Sequence, residues 1–121
     1  MSASTIFNEP APETWAQWIN RGHRLQHEEQ YADALSAYEQ AIICNPQDAS
    51  AYEYLAELCK KLGLYESALA VYQRVLGLDP TFPHFYLYKG EVLKKLHRYA
   101  EALTTFEQAM ALVPEEVALY D

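Results

Sequence analysis

Cysteine is scarce in this chain, two residues in 121, and Cys44 and Cys59 have no second pair with which to build a disulfide framework. A reducing, cytoplasmic setting is the expectation that follows. Glycine and proline are few as well, 4 and 6, set against a Leu, Ala and Tyr content that favours packed helices. Basic residues are outnumbered, 9 Lys and Arg against 17 Asp and Glu, for a net charge of −8. That balance excludes a sequence-independent grip on nucleic acid or anionic lipid, which needs clustered Lys and Arg. The opening MSASTIFNEPAPETW lacks the basic and long apolar regions of a secretory signal. No run approaches the roughly 18 apolar residues of a membrane span. Half the residues are nonetheless apolar, enough for one compact domain.

Chemistry-bearing motifs are missing too. No Gly-rich phosphate loop, nucleophile elbow or carboxylate dyad stands out, so neither catalysis nor a cofactor is expected. His23 and His27 have the i,i+4 spacing that chelates metals, but no Cys or HExxH context accompanies them and only Glu57 offers a third ligand. They read as surface histidines, and no metal site is assigned. Cys59 falls at a packing position and Cys44 near a helix end, neither with an activating neighbour.

What is present is repetition. YADALSAYEQAIICNP, YESALAVYQRVLGLDP and YAEALTTFEQAMALVP follow one another at intervals of 34 residues. Pro46, Pro80 and Pro114 form one column; Tyr31, Tyr65 and Tyr99 another; Ala34, Ala68 and Ala102 a third. Tyr38, Tyr72 and Phe106 follow, then Ala41, Val75 and Ala109. Upstream lie Gly22, Ala56 and Gly90, and Trp18, Tyr52 and Tyr86. Ala34, Tyr38 and Ala41 are spaced i, i+4, i+7 and share a helix face. Small residues there, and at Gly22, Ala56 and Gly90 on a preceding helix, let two helices approach closely, because interiors pack at crystal-like density. Each proline closes its unit, since the residue before it is turned away from the α region. Between the helices lie HEEQY, KLGLY and KLHRY, where Gly63 suits a helix C-cap.

This set of small, aromatic and proline positions on a 34-residue period resembles the tetratricopeptide repeat. Three units, 15–48, 49–82 and 83–116, would follow an irregular lead-in at 1–14. Departures are mild: Arg21, Leu55 and Lys89 stand where the family often has Leu, and Leu25, Cys59 and Leu93 where it often has Tyr. The pentatricopeptide design is disfavoured by the strict period, the proline column and the acidic balance. The resemblance implies an all-α, right-handed superhelical solenoid of antiparallel helix pairs. It also implies a non-catalytic protein–protein interaction module whose inner groove is lined by the first helix of each unit.

At the front end, Trp15 and Trp18 are expected to cap the first helix pair. At the far end, Pro114, Glu115 and Glu116 make a favourable helix start, so residues 117–121 read as the beginning of a further or capping helix, cut short. Tyr120 stands 34 residues after Tyr86. Two explanations are carried: a piece of a longer array, which is favoured, or an open last repeat covered by a second copy, giving an assembly role.

Register places a second pattern on the groove side. Tyr54 matches Tyr88, Glu57 matches Glu91 and Lys61 matches Lys95; the first unit has Asn20, His23 and His27 there. Asn20, His23, Tyr54, Glu57, Tyr88, Glu91 and Lys95 are therefore the candidate partner-binding residues. The tyrosines offer flat contact area, and the carboxylates suit a basic side chain, so a protein or peptide partner with basic or apolar groups is expected. The bland alternative treats Glu57–Lys61 and Glu91–Lys95 as i,i+4 pairs on a solvated face, worth a few tenths of a kcal/mol each. In tetratricopeptide domains that hold heat-shock chaperone C-termini, a clamp of Lys, Asn and Arg occupies positions matching Ile19, His23, Tyr54, His84 and Tyr88. None of these is Lys, Asn or Arg, so that ligand is not expected.

Overall fold

Six helices follow one another along the computed structural model, which describes residues 14–112: α1 (Trp15–His27), α2 (Tyr31–Cys44), α3 (Ala49–Lys61), α4 (Tyr65–Leu78), α5 (Pro83–Lys95) and α6 (Tyr99–Leu112). No strand occurs among the described residues, and no helix there is long and apolar enough to cross a membrane. The expected helix start at 117–121 lies outside the described residues. The chain forms two compact units that divide between Ala51 and Tyr52, within α3.

In the first unit, Thr14 opens α1 with a capping box. Its Oγ1 accepts from Gln17 N at 3.2 Å while Gln17 Oε1 accepts from Thr14 N at 3.1 Å, satisfying two donors that a helix start leaves bare. α1 buries Ile19, Gly22 and Leu25, and α2 buries Ala34, Ala37, Tyr38, Ala41 and Ile42. Gly22 lies under the Tyr38 ring, where a Cβ would sit 2.5 Å from Cε1. That distance is why position 22 takes glycine. Trp18 is half-buried, with the Arg21 guanidinium 5.4 Å from its ring centroid, and Arg21 itself is buried.

The second unit repeats the design. Ala56, Ala68, Tyr72, Val75, Ala102 and Ala109 are buried, and Gly90 meets Phe106 as Gly22 meets Tyr38, again at 2.5 Å. Asp79 N donates to Val75 O at the end of α4, and the Asp79 carboxylate accepts from the backbone and hydroxyl of Thr81. Those bonds hold the Asp79 carboxyl below its ordinary range. Tyr86 donates to Pro80 O at 2.9 Å, fastening the turn to α5, whose first turn starts at Pro83.

The three turns within the helix pairs close alike. Gln30 N donates to Leu25 O, Leu64 N to Cys59 O and Arg98 N to Leu93 O, at 2.8, 2.8 and 2.9 Å. With the bonds from Glu29 N to Gln26 O, Gly63 N to Lys60 O and His97 N to Lys94 O, these are Schellman caps. Their central residues have φ of 62°, 76° and 61°. Only the middle cap uses glycine; Glu29 and His97 carry a Cβ into the left-handed region.

Candidate functional site

Of the seven candidate residues, five belong to the second unit. Tyr54 and Glu57 project from α3 and are exposed, Tyr54 by 39%. Their i,i+3 spacing puts them on one side of the helix. Glu91 and Lys95 are exposed on α5, and Tyr88 is half-buried. Glu57, Glu91 and Lys95 come together in an open cleft of about 310 Å³, completed by Lys60, Lys61, Tyr65 and Val92. Tyr54 and Tyr88 do not line it. Asn20 and His23 are exposed on α1 in the first unit. His23 has a structural duty as well: its Nδ1 is 2.8 Å from the Tyr38 hydroxyl, and the two rings meet edge to face.

Lys60 is the residue that sequence reasoning missed. Its Nζ lies 3.2 Å from Glu57 Oε1 and 5.3 Å from the Tyr88 ring centroid, so one ammonium ties α3 to α5. Glu57 thus has a cationic partner three residues on, beside the expected four-residue spacing to Lys61. Both groups reach solvent, so the pair contributes about 0.2–1 kcal/mol. The contact over Tyr88 adds roughly 0.5–1 kcal/mol. With two carboxylates and three ammonium groups, the cleft is mixed in charge rather than acidic.

Tyr88 is held by more than Lys60. Its ring centroid stands 6.0 Å from Tyr72, 6.3 Å from Phe85 and 5.8 Å from His84. Phe82 joins this group, edge-on to His84 and Phe85 at 5.5 and 5.6 Å. The cluster was visible in outline as FPHFYLY, a stretch dense in aromatic rings. Tyr88 is consequently part scaffold and part surface.

Below this face Tyr72 is fully buried, and its hydroxyl has no hydrogen-bond partner among the described residues. Burial, then the nearby Glu57 carboxylate, raises the hydroxyl well above the ordinary tyrosine range. The first unit solves the same problem differently. There the Tyr38 hydroxyl donates to Gln26 Oε1 at 3.0 Å and meets His23. The columns that hold His23 and Gln26 hold Glu57 and Lys60 in the next repeat, and those two bond each other instead.

Among the described residues no group of three or more His, Cys, Asp or Glu side chains is placed to hold a metal ion. Cys44 is exposed and Cys59 buried, and neither is in a disulfide. The features present are a cleft of opposed charges, an exposed aromatic ring and helix faces, which suit recognition of another chain.

Helix pairs on a strict period, with exposed polar and aromatic groups on their first helices, define a repeat protein of the helix-pair class. The chain belongs to the tetratricopeptide repeat family, whose models match residues 19–83 and 61–121. It is an all-α tetratricopeptide-repeat fold. The crystal structure of MamA is similar, with a TM-score of 0.75 and 20% identity over 87% of this chain and 61% of that one. The present chain therefore spans about three fifths of that relative's length. The OM64 TPR domain of Arabidopsis matches with a TM-score of 0.71 and 24% identity, covering 84% of each chain. The TPR2B domain in a pHsp70 complex of yeast Sti1 matches with a TM-score of 0.71 and 26% identity, over 84% of this chain and 81% of that one. No curated protein matches the sequence. Members of this family are in general protein–protein interaction modules.

Proposed function

We propose that the chain is a non-catalytic interaction module that seats a peptide or helix of a partner protein against its first helices. The observation that carries this reading is the face of α3 and α5. An exposed tyrosine, Tyr54, stands one turn from a charged cleft bordered by Glu57, Lys60, Glu91 and Lys95. An aromatic ring that a fold leaves out in water is a ready anchor for an apolar side chain, and it loses little entropy on binding. Glu91 is the favoured carboxylate for a basic group of the partner, because Glu57 is already engaged by Lys60. Asn20 and His23, exposed on α1, are separate candidates in the first unit. Tyr88, packed among Tyr72, Phe85 and His84, serves mainly to shape it.

The pHsp70 complex of the Sti1 domain supports a protein or peptide ligand as a class. The particular ligand is another matter: Ile19, His23, Tyr54, His84 and Tyr88 give no Lys, Asn or Arg for a clamp on a terminal carboxylate. A chaperone C-terminus is accordingly not the proposed partner. The location we propose is the cytoplasm, where two cysteines outside any disulfide are the ordinary state.

A photo-crosslinker placed at residue 54 should trap the partner from the native source. The purified partner should then lose at least about tenfold in affinity, or 1.4 kcal/mol, for the double variant Tyr54→Ala, Glu91→Lys, with an unchanged unfolding midpoint. Full affinity in that variant would sink the groove reading.

A further inference from the structure

We infer that an open cavity between α4, α5 and α6 takes a carboxylate, presented by an acidic side chain of a partner protein. The cavity measures about 340 Å³ and is framed by Gln73 of α4, Lys89 and Leu93 of α5, and Glu101, Thr105 and Gln108 of α6. None of its lining residues borders the cleft around Glu57 and Glu91. Lys89 and Glu91 stand two residues apart on α5, which turns their side chains about 160° away from each other. The two sites therefore stand or fall separately.

Repeat columns show what is unusual here. The middle repeat fills the places of Lys89 and Thr105 with Leu55 and Val71, both apolar and buried. The first repeat has Arg21 in the lysine's column, buried with its guanidinium 5.4 Å from the Trp18 ring centroid. Lys89 has neither solution. It is half-buried, and among the described residues it has no ion pair and no aromatic ring against it. The cavity's own carboxylate is engaged elsewhere: Glu101 accepts from Arg98 Nε at 2.7 Å and from Nη2 at 2.8 Å. Arg98, and less strongly Lys89, hold the Glu101 carboxyl below its ordinary range, so the lysine's field reaches this wall.

A half-buried ammonium has lost part of its water and gained no charged partner, which favours an incoming anion. Gln73 and Gln108 add amide donors at the exposed rim, neither engaged by another described residue. Thr105 is buried with its hydroxyl already donating to Glu101 O at 2.8 Å, and Leu93 is buried too, so the floor brings no competing charge. One cation and two amides, from three helices, match the two oxygens of a carboxylate, whose bond to an ammonium is charge-assisted. The net charge of −8 selects a single acidic group over an acidic tract or a nucleic acid, which the rest of the surface would repel.

The test titrates capped glutamate, N-acetyl-glutamate N-methylamide, onto the full chain at fixed ionic strength, followed by heteronuclear NMR. Saturable shifts of the Gln73 and Gln108 side-chain amides are expected, and capped glutamine, the neutral twin, should give none. Lys89→Met keeps the length and removes the charge, and should weaken binding at least about tenfold. It should melt no lower than the parent, because the middle repeat carries Leu55 in the same column. Lys89→Arg should retain binding. Shifts that capped glutamine reproduces, that survive Lys89→Met or that never saturate overturn the proposal. Equal loss in Lys89→Arg and Lys89→Met would trace the effect to packing rather than charge, and overturns it as well. Tighter binding of inorganic phosphate would assign the cavity to a phosphoryl group and so overturn the carboxylate.

Discussion

Deleting the hydroxyl oxygen should destabilise at Tyr38 and be neutral or stabilising at Tyr72. The two rings occupy the same column of the repeat and are both fully buried. The Tyr38 hydroxyl donates to Gln26 Oε1 at 3.0 Å and, with its proton so placed, accepts from His23 Nδ1 at 2.8 Å. Tyr38→Phe removes both bonds. His23 and Gln26 reach solvent and regain water, so the expected loss is about 1–1.5 kcal/mol. The Tyr72 hydroxyl has no partner to lose. Tyr72→Phe relieves a buried, unsatisfied group and should be neutral or stabilising by about 1 kcal/mol. Unfolding in urea followed by circular dichroism separates the cases. At an m-value of about 1.5 kcal/mol/M, a difference of roughly 2 kcal/mol between the variants moves their midpoints about 1.3 M apart. Alkali gives a second readout. Because folding raises the Tyr72 hydroxyl, its contribution is complete below the ordinary tyrosine pKa and is lost as pH climbs above it. Tyr72→Phe should flatten that alkaline decline. If Tyr72→Phe costs as much as Tyr38→Phe, the hydroxyl is bonded after all, with Glu57 the nearest candidate, and the reasoning fails.

Two further outcomes can be checked by the same unfolding measurement. Glu29 holds a left-handed conformation in a cap where Gly63 stands in the next repeat, so Glu29→Gly should stabilise by about 0.5–1 kcal/mol and Gly63→Ala should cost a similar amount. Gly90→Ala should destabilise, although helix propensity alone favours alanine by about 1 kcal/mol. The new Cβ would lie 2.5 Å from Phe106 Cε1, and overpacking of this kind costs about 1–3 kcal/mol; a gain in midpoint would show that the ring moves aside freely.

Much of the scaffold was legible from residue spacing. Small residues at Gly22, Ala56 and Gly90, aromatics at Tyr38, Tyr72 and Phe106, and the proline column locate helices and turns because helical periodicity is local. Glu29 and His97 show where that legibility stopped, since neither residue type announces a left-handed backbone; only the repeat of Gly63's turn imposes it. The candidate site was legible as a list of facing residues, but its electrostatics were not. Lys60 reaches Tyr88 on a different helix, and sequence spacing carries no information about contacts between helices.

By itself the sequence determined that this protein is built of helix pairs on a 34-residue period, which residues face inward, and where the second helices end. Tertiary structure alone decided which hydroxyl is satisfied, Tyr38 or Tyr72, and which tyrosine is the more exposed, Tyr54 rather than Tyr88. The reason is physical. Periodicity fixes the direction in which a side chain leaves its own helix, but its burial and bonding depend on what another helix brings to the same point.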